Sequence, residues 1–182
     1  MKLASASVLF FILVSICSWA QEIPDPEFSL RPYYLKANSL ENLERVDAVA
    51  QTKVKAMGYG GADSFYNAIG VQSSVKFTLA ESPRFFIKID DQTDPMDLVV
   101  IAKGDVKKNE RRFKILSVNG PFGTRSSGPG NQVKFTCKKI KEGLYELVFD
   151  QPLPIGEYAF MPISGGLSLA ATRAKLSCFS VE

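Results

Sequence analysis

Gln151-Pro152-Leu153-Pro154-Ile155-Gly156-Glu157-Tyr158-Ala159-Phe160 is the stretch on which the fold reading turns. Its two prolines and glycine favour a turn, and Tyr158 enters the strand that follows. Leu-Pro-x-Gly-x-Tyr at this spacing is the pattern of a tyrosine corner, in which a tyrosine opening a late strand bonds back to upstream backbone in Greek-key sandwiches. The competing reading is a plain turn with Tyr158 merely packed.

Outward from that corner the chain reads as short strands. Val46, Ala48, Ala50, Thr52, Val54 and Ala56 alternate with Asp47, Val49, Gln51, Lys53 and Lys55, a period of two with the polar residues mostly on one face. A helix from Ser39 competes through the spacing of Leu40, Leu43 and Val46, but a short turn suffices there. Further strands are expected over 64–71, 74–79, 84–90, 98–103, 112–118, 132–140, 144–149, 157–161 and 175–181. Lys141-Glu142-Gly143 reads as a tight hairpin, with Gly143 at positive φ. The Gly- and Ser-rich stretch 121–131 reads as the longest loop. Short strands with frequent turn signals predict an all-β, antiparallel β-sandwich of immunoglobulin-like, Greek-key type. Phe160 stands where immunoglobulin domains carry a cysteine, so no inter-sheet disulfide of their kind is expected. A single domain over 28–182 is favoured, with a subdivision near residue 82 as the alternative.

Residues 1–20 read as a cleavable secretory signal. Lys2 supplies the positive charge, 8–14 the apolar core, and Ser18-Trp19-Ala20 the small residues before cleavage between Ala20 and Gln21. That core is too short to span a bilayer, and no later segment reads as transmembrane. Residues 21–27, with Pro24 and Pro26, read as an extended leader. Removing 20 of 182 residues leaves 162, enough for one ordinary core, and lowers the formal charge from +3 to +2. So small a net charge gives no electrostatic case for nucleic acid. Loss of Cys17 leaves Cys137 and Cys178, an even pair in an exported chain, which reads as a disulfide. Closing that loop would contribute about 3 to 4 kcal/mol in a chain-entropy model. Two buried free thiols are the alternative.

The chain has no histidine, which removes Ser-His-Asp and Cys-His nucleophile sets and the commonest transition-metal ligand. No catalytic set and no cofactor is expected. Asp90, Asp91, Asp94 and Asp97 offer oxygen ligands of the kind calcium takes, but without EF-hand spacing, and Asp94-Pro95 is an ordinary turn opener. Tyr59, Phe65 and Tyr66 are candidate sugar-stacking rings, set against the commoner role of core partners. Lys103, Lys107, Lys108, Arg111, Arg112 and Lys114 form a basic run suited to sulfated or phosphorylated glycans, set against a solvated sheet edge with Asp105 and Glu110 interspersed.

Ser18-Trp19-Ala20-Gln21 resembles the signal junction of exported proteins in Bacteroidetes-type bacteria. Arg31-Pro32-Tyr33, Met57-Gly58-Tyr59-Gly60-Gly61, Gly156-Glu157-Tyr158-Ala159-Phe160 and Ser177-Cys178-Phe179-Ser180-Val181 resemble elements of uncharacterised small exported β proteins in those bacteria. The resemblance implies export and a β fold, and brings no activity. The expectation is therefore an exported, non-enzymatic binding or structural module of the periplasm, outer surface or medium. Its partner would be a surface glycan or another envelope protein. The alternative is a carbohydrate-binding module for neutral or anionic glycans.

Overall fold

The computed structural model describes residues 23–55, 60–90, 93–119, 124–126, 131–163 and 173–182. The expected signal segment, its junction at Ala20 and Gln21, Tyr59 and Asp91 lie outside them. The strands are β1 (Pro32–Lys36), β2 (Ser39–Asn42), β3 (Glu44–Val54), β4 (Ala62–Ile69), β5 (Lys76–Phe77), β6 (Phe85–Lys88) and β7 (Val99–Lys107). They continue with β8 (Glu110–Asn119), β9 (Thr124–Ser126), β10 (Gln132–Val133), β11 (Phe135–Lys141), β12 (Leu144–Phe149), β13 (Gly156–Pro162) and β14 (Arg173–Val181). No helix among the described residues is long and apolar enough to cross a membrane.

The larger sheet corrects the sandwich expectation: it closes into a six-stranded barrel. Its path runs β7-β13-β14-β3-β4-β8, and β8 pairs again with β7. Closure is possible because β7 divides its length between two partners. Residues from Val99 to Gly104 pair with β13, whereas Asp105, Val106 and Lys107 pair with Arg112, Arg111 and Glu110 of β8. Gly104 stands at the changeover, and the Phe113 ring fills the space beside it. A Cβ on Gly104 would lie 2.6 Å from Phe113 Cε1. Gly104→Ala is therefore expected to lower stability by about 1–3 kcal/mol, the usual cost of overpacking. Urea denaturation of the variant beside the parent measures it.

Inward residues of the barrel are small on four strands, with Ala48, Ala68, Ala102 and Ala159 facing Tyr66, Phe113, Met161 and Leu176. Small residues opposite large ones fill a narrow barrel without voids. The smaller sheet, β11-β12-β6-β1-β2, packs on the outside of β7, β13 and β14. Phe85, Ile87, Phe135 and Leu147 meet Ile101, Phe160 and Phe179 in that second core. Its outer face buries Phe86 and Leu144 under Ile23. Lys141 Nζ donates to the Ile23 carbonyl at 3.1 Å and pairs with Asp25 at 2.6 Å, so this leader segment lies along the sheet.

Several local expectations hold inside the corrected architecture. β3 alternates as read, with Ala48 fully buried and Asp47 and Gln51 outward. The β11–β12 hairpin turns at Glu142-Gly143, with Gly143 at φ 70°. Tyr158 Oη donates to the Pro154 carbonyl, which is the corner geometry read from the sequence. It does so on a barrel strand rather than in a sandwich. Burial in the interlayer core pushes its phenol up to about 12. The segment at Ser39 is strand β2 and not a turn, because the reversal falls at Ala37-Asn38, with Ala37 at φ 52°. Part of the expected loop 121–131 is strand, since β9 pairs with β8.

The Cys137–Cys178 disulfide is also corrected: both thiols are free. Cys178 faces the barrel interior with Ala48 and Leu176, whereas Cys137 packs from the smaller sheet against the interlayer core. The β13–β14 wall separates the two faces. Burial pushes the Cys137 thiol up to about 11 and the Cys178 thiol up to about 12, so neither is an activated nucleophile.

Candidate functional site

Strand alternation splits the basic run of the sequence in two. Arg111, Phe113 and Ile115 turn into the barrel, and Arg112 and Lys114 turn outward on the same strand. Arg111 is 0% exposed. Its Nη1 and Nη2 donate to the two Glu44 oxygens at 2.8 and 3.1 Å, and Nη1 lies 3.5 Å from Glu157 Oε2. Nε donates to the Gly70 carbonyl at 3.2 Å and Nη2 to the Ile69 carbonyl at 3.4 Å. Arg111 is thus a strut closing one barrel end and not a ligand-binding cation. Glu157 Oε2 also accepts the Ser73 amide at 2.9 Å, which ties the chain after β4 across that end. Ser180 Oγ, opposite Glu157 in β14, is buried and has no hydrogen-bond partner among the described residues.

The two carboxylates respond differently to one arginine. Burial opposes ionisation of Glu44, but hydrogen bonds from Arg111 and Ser73 outweigh it and hold its pKa below the ordinary glutamate value. Burial dominates at Glu157 and raises its pKa despite the Ser73 amide and the Arg111 charge. A depressed pKa contributes stability that is present above the unfolded value and lost as pH falls through the folded one. Glu44→Gln is accordingly expected to cost about 1.5–3 kcal/mol at neutral pH, the range for a charge-assisted bond. Its deficit against the parent should shrink as acid protonates Glu44, which denaturation midpoints across a pH series will record.

The outward half of the run meets one of the expected aromatic residues. Phe65 and Lys114 pair across β4 and β8, with Gln51 of β3 on the other side of Phe65. One row along, Asn67 sits between Val49 and Arg112. Lys114 Nζ lies 5.8 Å from the Phe65 ring centroid and 3.5 Å from Asp63. Burial opposes ionisation of Asp63, but bonds from Lys55 at 2.7 Å and Ser117 at 2.6 Å, with the Lys114 charge, keep its pKa low. Asn67 Oδ1 is buried with no hydrogen-bond partner among the described residues. Tyr66 does not share this face: it points into the barrel, because adjacent strand residues face opposite sides. The face therefore joins Phe65 with Arg112 and Lys114 of the basic run, and adds Asn67, a residue that the sequence reading did not single out as a ligand group.

The remaining candidates are placed apart. Lys107 and Lys108 flank the β7–β8 turn, exposed, with Lys108 at φ 55°. Asp94 caps a one-turn 3-10 helix, Pro95–Asp97, by accepting the Met96 amide at 2.8 Å, and the Asp90 carbonyl accepts the Thr93 amide. Among the described residues no group of three or more His, Cys, Asp or Glu is placed to hold a metal ion. A trough of about 340 Å³ between the sheets, lined by Leu79, Val148, Phe149, Leu153 and Val181, was not legible from sequence. The cation at its rim, Arg84, is paired with Glu146 at 2.6 Å. Comparison with family models, curated proteins and solved structures returns no match to this chain.

Proposed function

We propose that this chain is an exported, non-enzymatic binding module of the periplasm or cell surface, and that the outward face of β3, β4 and β8 takes an anionic glycan. The observation that carries the reading is the row of Gln51, Phe65 and Lys114 beside Asn67 and Arg112. An aromatic ring offers a stacking platform for a sugar face. Lysine and arginine offer charge-assisted bonds to sulfate or carboxylate groups, and the exposed Gln51 carboxamide offers both a donor and an acceptor to a hydroxyl. The non-enzymatic part is supported by the lack of histidine and by the engagement of Glu44 and Glu157 with Arg111.

Calorimetric titration with heparin as the anionic probe and a neutral glucan as its counterpart tests the face. Binding to the anionic polymer should weaken with salt. It should fall roughly tenfold or more in Lys114→Ala and in Phe65→Ala, the loss of about 1.4 kcal/mol or more. Protein that is folded yet binds neither polymer overturns the glycan reading. Turnover in a broad hydrolase screen overturns the non-enzymatic part, and an exported chain that does not begin at Gln21 overturns the expected cleavage.

A further inference from the structure

The barrel end closed by Arg111 has an unusual rim. Ile69 at the end of β4 is 81% exposed, and Val71 and Val106 are each 50% exposed. Lys107 and Lys108 stand beside them at the β7–β8 turn, and among the described residues neither forms an ion pair. The register brings Lys107, Glu110 and Ile69 side by side on three adjacent strands, with Glu110 engaged by Arg112 at 3.3 Å. This rim is braced from beneath. Gly70 donates its amide to the Asn109 carbonyl at 2.8 Å, while Arg111 holds the carbonyls of Ile69 and Gly70. Nothing in that bracing needs the Ile69 side chain to be in water.

We propose that the rim carrying Ile69, Val71, Val106, Lys107 and Lys108 is a docking edge for an anionic phospholipid surface. Ile69 stands in the outward row of Lys107 and Glu110, and Val106 in the row of Arg111 at the barrel end; with Val71 these exposed aliphatic side chains make too small a patch for a specific protein interface, which needs about 1,200 Å² or more. They are suited to shallow insertion among acyl chains, with the lysines at the level of the lipid phosphates. Charge complementarity selects the lipid: a lysine near an anionic leaflet gains roughly fivefold in affinity, and near a neutral one gains nothing. The fixed backbone beneath means that little order is lost on contact. The overall charge of the chain gives no hint of this, because the effect belongs to two residues at one edge.

Protein purified after export is sedimented with vesicles of phosphatidylcholine alone or mixed with phosphatidylglycerol. It should pellet with the mixed vesicles at low ionic strength, and less as salt rises. Ile69→Ser should weaken pelleting roughly tenfold, and Lys107→Ala with Lys108→Asn more than that. Asparagine tolerates the positive φ of residue 108, and Ile69 is exposed, so these variants should keep the parental denaturation midpoint. Phe65→Ala should pellet like the parent, which separates this edge from the glycan face. The inference falls if the parent pellets with neither vesicle, if it pellets equally with both, or if the rim variants bind unchanged.

Discussion

Arg111→Leu should lower stability by about 3–5 kcal/mol at neutral pH, the cost of removing one partner from a buried ion pair. The substitution leaves Glu44 and Glu157 facing each other at the barrel end without a cation, and frees the Ile69 and Gly70 carbonyls that the guanidinium held. Arg111→Lys should recover only a minor part, since one ammonium cannot span both Glu44 oxygens and two carbonyls as a planar fork does. Adding Glu44→Gln and Glu157→Gln to Arg111→Leu should restore more, because the penalty is charge left without a partner. The same logic fixes the pH sign. Glu157 already has a raised pKa from burial, and without Arg111 both glutamates protonate more readily. The deficit of Arg111→Leu should therefore shrink on acidification. Urea midpoints at several pH values, with unchanged slopes, report it. A deficit below about 1 kcal/mol, the worth of an exposed ion pair, would contradict the strut.

Arg111 also marks where the sequence was legible and where it was not. The run from Lys103 to Lys114 read as one basic patch because composition has no direction. Period two, applied to β8 as it was to β3, groups Arg111 with Phe113 and Ile115 and sends Arg112 and Lys114 the other way. The alternation of β3, the Glu142-Gly143 turn and the Tyr158 corner were readable because each is settled within a few residues. Barrel closure was not, since it depends on β7 changing partners at Gly104 and on small inward residues contributed one per strand by distant segments. The single strand expected over 132–140 likewise hides a switch between sheets at Lys134, with β10 paired to β7 in the larger sheet and β11 in the smaller one. Cysteine parity suggested a pair, but parity carries no information about which face each thiol occupies. Of the candidate glycan face, Phe65 and Arg112 were visible as residue types. Their adjacency was not, because it rests on the pairing of strands more than forty residues apart.

The joint between the two layers explains the second large effect. Phe85→Ala should cost about 3–5 kcal/mol, the range for truncating a buried phenylalanine. Its ring is fully buried at the centre of the interlayer core, with centroids 4.8 Å from Phe179, 5.2 Å from Phe160, 5.6 Å from Phe149 and 5.8 Å from Phe77. Those partners come from both layers, so the cavity opens between sheet and barrel where neither can collapse alone. β13 and β14 bear on both cores at once, with Phe160 and Phe179 on one face and Met161 and Cys178 on the other. Loosening the interlayer core therefore loosens the barrel wall, and the loss should be felt by the whole molecule. Near- and far-ultraviolet circular dichroism should lose signal in one coincident transition, shifted to lower urea in the variant. Two separated transitions would show instead that the smaller sheet unfolds from an intact barrel. Phe85→Leu, which keeps most of the volume, should retain a large part of the stability that Phe85→Ala loses, because the cost scales with the cavity left behind.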